Sequence, residues 1–122
     1  MMRWLSVTAC VAVGVGCAGA PPVPLQRFTD AEAEIKAAQE IGADKNPQGK
    51  LHLQQATDQL EAAKSLSKDK PEVAVRKLDN AQAEAELAKS ITREQATRAE
   101  AEEAKERLLS AQKNLSGTGG AR

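Results

Sequence analysis

The chain has 122 residues, 41% hydrophobic and 28% charged, with 17 basic residues balanced by 17 acidic ones and only 2% aromatic side chains. Its 23 alanines and mean hydropathy of −0.48 suit thin, water-exposed helices rather than a large enzyme core, and its balanced charge gives no pull toward nucleic acid. Between Asp30 and Leu115 there are 14 Val, Ile or Leu and 18 Ala. At ~2 kcal/mol per buried large aliphatic against ~1.5 kcal/mol of ordering cost per residue, a compact globule is not expected there. Long helices are, because Ala, Glu, Lys, Arg, Gln and Leu all favour them.

The first segment reads as an address. Met1, Met2 and Arg3 give a short positive start, and the 13-residue apolar run from Trp4 to Gly16 is too short to cross a bilayer as a helix. Gly14-Val15-Gly16-Cys17 resembles the lipobox cut by the bacterial lipoprotein signal peptidase, with Gly14 where Leu is usual. That resemblance implies a mature chain starting at Cys17 and carrying two or three acyl chains, enough for stable membrane attachment. Val7-Thr8-Ala9-Cys10 is a better lipobox by residue type, but only Trp4 to Ala9 precedes its cysteine as an apolar run. Ala18-Gly19-Ala20 is an ordinary signal-peptidase pattern, but Pro21 would follow the cut. The plainer reading of Cys17 is a buried thiol or a disulfide with Cys10. Ala18 after the cysteine, rather than Asp, points by analogy with Gram-negative sorting to the outer membrane, periplasmic face.

Pro21-Pro22-Val23-Pro24 favours polyproline II and makes a semi-rigid spacer. Thr29 with Glu32 three positions on is a capping-box pattern, and Ala31, Ile35, Ala38 and Ile41 recur at helical spacing. The first helix is therefore expected over Asp30 to Ile41, with Gly42 as its C-terminal turn and Ala43 to Lys45 as a linker. Asn46-Pro47 is a cap followed by proline at the first helical position. This predicts a second helix from Pro47 to Leu66 with the stripe Leu53, Ala56, Leu60, Ala63 and Ser67, its first turn weakened by Gly49.

Asp69-Lys70-Pro71-Glu72 marks the next start, and no Gly or Pro then interrupts the chain until Gly117. A third helix from Pro71 to about Leu115 would be roughly 67 Å long. Its stripe begins as Ala74, Leu78, Ala81, Ala85 and Ala88, and a second register, Ala101, Ala104, Leu108, Ala111 and Leu115, takes over on another face. An ordinary helix seam is the expected use of both, with helices two and three paired antiparallel. Glu94 with Arg98 and Glu103 with Arg107 are favourable i,i+4 pairs. Ala63-Lys64-Ser65-Leu66 is echoed by Ala88-Lys89-Ser90-Ile91, but one echo is not a repeat architecture. The Gly-rich stretch after Ser116 reads as a flexible tail.

Signals for chemistry are sparse. The one histidine, His52, has no second His or Cys nearby in sequence to complete a metal site, and no phosphate loop or nucleophile elbow occurs. Glu100, Glu102, Glu103 and Glu106 are the densest carboxylates, but Arg98, Lys105 and Arg107 between them describe a solvated charged face. No catalytic residue, metal ligand or cofactor is assigned, and dispersed basic residues without aromatic platforms argue against nucleic-acid binding.

With its lipobox leader, proline spacer and alanine-rich helices, the chain resembles the family catalogued as domain of unknown function 4398 over Asp30 to about Ile91. The motifs are Ala31-x-x-x-Ile35-x-x-Ala38, Ala56-x-x-x-Leu60-x-x-Ala63, the turn Lys68-Asp69-Lys70-Pro71, and Ala74-x-x-x-Leu78-x-x-Ala81. The resemblance implies an envelope lipoprotein without known catalysis, often in chains that also carry an OmpA-like peptidoglycan-binding domain. None is read in this sequence, so a cell-wall role would act through a partner, OmpA-like or otherwise. The expected fold is all-α: an antiparallel hairpin in a three-helix arrangement with a long overhanging C-terminal helix. The expected divisions are a signal peptide over 1–16, a lipid-anchored spacer over 17–28, a helical domain over 29–116 and a tail over 117–122. The overhang, Thr92 to Leu115 with its own register, makes a scaffolding protein the leading expectation, with a homo-oligomer left open. A tetratricopeptide-like module holding a peptide or cell-wall fragment is the alternative, although the aromatic positions of that repeat are empty.

Overall fold

A computed structural model describes residues 21–118. Gly14, Val15, Gly16 and Cys17 lie outside the described residues, as do 119–122, while Gly117 and Thr118, expected in the flexible tail, continue the last helix.

The described chain is all-α: α1 (Leu25–Glu40), a single 3-10 turn (Ala43–Lys45), α2 (Pro47–Leu66) and α3 (Pro71–Thr118). The second helix spans Pro47–Leu66 as its Asn-Pro start and apolar spacing predict, but Ser67, expected in its stripe, lies just past its end as the C-cap. The Asn46 side chain accepts hydrogen bonds from the backbone N–H groups of Gln48 and Gly49, so two donors at the helix start are satisfied. Gly42 adopts φ +84°, the left-handed conformation that lets the chain leave α1 and turn back.

The start of α1 differs from the capping-box expectation. The helix begins at Leu25, so Leu25 to Phe28 belong to the helix and not to the spacer. Thr29 sits inside the helix with its hydroxyl donating to the Gln26 carbonyl, and Glu32 reaches across to Lys64 at 2.6 Å. The cap position falls on Pro24, whose fixed φ of −62° leads straight into the first turn, with no side-chain cap. Ile41, expected in the first stripe, is the cap at the other end and lies exposed.

The three helices run up, down and up. Arg27 pairs with Asp79 and Glu34 with Lys89, so α1 and α3 ascend together; Gly49 lies against Thr92 while the α2–α3 turn joins Leu66 to Pro71, so α2 runs against both. His52 Nδ1 lies 2.7 Å from Glu84 Oε2 across the α2–α3 seam.

The long helices expected in place of a compact globule enclose a small core built chiefly from alanine. The core is Ile35, Leu53, Leu60, Leu78 and nine alanines, Ala31, Ala38, Ala43, Ala56, Ala63, Ala74, Ala81, Ala85 and Ala88. Alanine-lined helices approach closely, so dispersion contacts between short side chains and backbones replace bulk apolar volume. Gly49 belongs to the same economy. A Cβ there would stand 2.8 Å from the Ala43 carbonyl oxygen and 3.0 Å from Thr92 Oγ1, so only glycine admits this approach. Phe28, Val23 and Leu66 close the core at the end where the chain enters.

Candidate interaction surface

The bundle uses less than half of α3. Ala74, Leu78, Ala81, Ala85 and Ala88 are all fully buried, Ile91 and Thr92 are half-buried, and every residue from Arg93 to Gly117 is exposed. At 48 residues the helix is about 72 Å long, and its outer half extends past the end where α1 stops and α2 starts.

The second register, Ala101, Ala104, Leu108, Ala111 and Leu115, lies on this outer half with all five side chains exposed; Leu108 is at 71% and Leu115 at 76%. At about 100° per residue, these positions lie roughly half a turn around the helix from Ala88. The stripe therefore points away from the side of α3 that α1 and α2 occupy. Leu109, outside that register, adds exposed apolar surface beside it.

Ion pairs on one helix support this arm: Glu94 with Arg98, Glu103 with Arg107, and Glu102 with Lys105 at 3.7 Å. The carboxylates Glu102 and Glu103 of the dense acidic group thus have cations beside them, and Glu100 and Glu106 are exposed. Among the described residues there is no group of three or more His, Cys, Asp or Glu that could hold a metal ion, and no helix long and apolar enough to cross a membrane. The grooves are shallow. One of about 320 Å³ between α1 and α3 is lined by Asp30, Ala33, Glu34, Gln82 and Glu86. Another, of about 210 Å³, lies where Pro21 to Pro24 run beside Pro71 and Val75. The first brings carboxylates together at an open surface, and the second is apolar; neither gathers an acid, a base and a nucleophile.

The second groove fixes where the chain enters. Pro21–Pro24 pass the start of α3, so the segment leading back toward Cys17 joins at the α2–α3 turn, and the exposed arm leaves from the opposite end. The sequence pattern located the stripe but could not show that entry and arm are opposed, because that follows from the up-down-up order.

No family model, curated protein or solved structure matches the chain.

Proposed function

We propose that this chain is a cell-envelope lipoprotein with a non-catalytic, structural role, tethered by lipid on Cys17 to the periplasmic face of the outer membrane. It holds the outer half of α3 away from that surface for other envelope components, and a relation to the domain of unknown function 4398 family is part of the same reading. The observation that carries it is the opposition of the two ends. The chain comes in beside Pro71, and the exposed run from Arg93 to Gly117 departs at the far end of the bundle. A lipid at Cys17 would then place the tip of α3 about 70 Å from the anchor end. Pro21 to Pro24 supply a stiff link between lipid and bundle. A protein with an OmpA-like peptidoglycan-binding domain is the kind of partner this placement suits.

The test is the intact mass of protein extracted from the membranes of a Gram-negative host, beside a Cys17→Ser version. Acyl mass on a chain beginning at Cys17, absent from the serine version, is the expected result. A soluble chain without acyl mass, cut elsewhere or uncut, would remove the anchor and with it this reading.

A further inference from the structure

Charge is unevenly distributed along the molecule. At the end where the chain enters, residues 21–30 and 61–77 hold six basic and four acidic side chains. The rest of the bundle, 31–60 and 78–92, holds four basic and eight acidic, and the outer arm, 93–118, holds five of each. Among the described residues, the entry end is therefore net positive, the sides of the bundle net negative and the arm neutral.

The entry end also has cations that the bundle does not use. Arg27 is paired with Asp79 and Lys64 with Glu32. Lys68 and Lys70 in the α2–α3 turn, and Arg76 just beyond it, are exposed and form no ion pair among the described residues. Asp69 and Glu72 are the acidic groups of the same turn; Asp30 and Glu61 lie more than a turn in from the ends of their helices. Apolar surface accompanies these cations. Leu25, the first residue of α1, is 77% exposed, and with Phe28 it lines a hollow of about 270 Å³ that opens beside Ser67.

The tether is short. Four residue steps separate Cys17 from Pro21, a reach of at most about 14 Å when fully extended. Lipid on Cys17 would therefore hold this end at a distance from the bilayer on the scale of the ~8 Å over which charges act at physiological salt.

We infer that the entry end is a membrane-contact surface, where Lys68, Lys70 and Arg76 meet the phosphates of anionic phospholipids and Leu25 enters the headgroup layer. This rests on the lipid at Cys17 and adds what keeps a tethered rod upright. Basic residues close to an anionic leaflet are drawn to it, and an exposed leucine partitions into the interface. The negative sides of the bundle are repelled by the same surface, so the rod does not lie along it, and the outer half of α3 points away.

Resonance energy transfer to acceptor-labelled lipid tests it, with the acylated protein inserted from outside into vesicles of phosphatidylcholine and phosphatidylglycerol. In a chain beginning at Cys17, whose sulfur carries the lipid, Ser65→Cys near the α2–α3 turn or Ser110→Cys on the arm supplies the one thiol for a donor dye. Because α3 carries Ser110 about 60 Å beyond Pro71, transfer from the first dye should exceed that from the second at least ~threefold. Lys68→Glu with Lys70→Glu should remove most of that difference, as should vesicles of phosphatidylcholine alone. Lys45→Glu with Lys50→Glu, the same charge change at the other end of the bundle, should leave it intact. Circular dichroism confirms that each variant is as helical as the parent. Equal transfer from the two positions in the parent, or a difference indifferent to reversal of Lys68 and Lys70, overturns the inference and would leave this end to a soluble acidic partner. Either result with the acyl mass in place discards the membrane contact but not the lipid anchor, whereas absence of acyl mass removes both.

Discussion

Two stretches of one helix, Pro71 to Thr92 and Arg93 to Thr118, have similar material and opposite fates. Each holds five alanines, and leucines recur in both at helical spacing. In the first stretch the stripe is fully buried; in the second it is exposed from end to end. The difference lies in what faces them. The first meets α2, whose Leu53, Ala56, Leu60 and Ala63 are spaced to interlock with it, and the second lies beyond the end where α1 turns through Gly42 and Asn46 into α2. Burial of an alanine seam is thus decided by the presence of a reciprocal seam, not by apolar content.

The largest test of that contrast is to truncate one leucine on each side. Leu78→Ala removes the largest fully buried side chain and should cost ~2–5 kcal/mol. Leu108→Ala should stay within ~0.5 kcal/mol. Chemical denaturation followed by circular dichroism reads both, and equal losses would erase the distinction between the two stretches.

Gly49→Ala sharpens it next. On a surface helix this change gains up to ~1 kcal/mol of propensity, but here the new methyl would press on the Ala43 carbonyl and Thr92. A net loss of ~1–3 kcal/mol is expected, and a more stable variant would show that α2 and α3 are not in close contact at this level. Asn46→Ala should cost about 1 kcal/mol through the lost cap. Smallest is Lys64→Ala, which removes a pair with Glu32 at a half-exposed surface; a change below ~1 kcal/mol is expected in the same unfolding experiment.

Much of the fold was legible because its punctuation is local. Pro47 and Pro71 start helices, Asn46 caps one, and Gly42 turns the chain, each for a reason contained in a few residues. The first helix was harder to place because Thr29 and Glu32 imitate a capping box. Their side chains answer instead to Gln26 and to Lys64, and the second of these partners is 32 positions away. Gly49 looked like a weak spot in sequence, yet it continues the stripe of Leu53, Ala56, Leu60 and Ala63, which was the available signal that it faces another helix. The stripe on the outer half of α3 was visible as a change of phase. Its direction, away from the bundle and from the end where the chain enters, required the order of all three helices.

The most direct test of the central claim, that α3 is half core and half projecting arm, is the thermal melt of a chain ending at Thr92, beside the parent. If the bundle stands without the arm, the helical signal falls only by the residues removed and the midpoint moves by no more than a few degrees, on the order of 0.5 kcal/mol. A shortened chain that unfolds, or melts far below the parent, would mean that the outer half of α3 is part of the fold rather than held out from it.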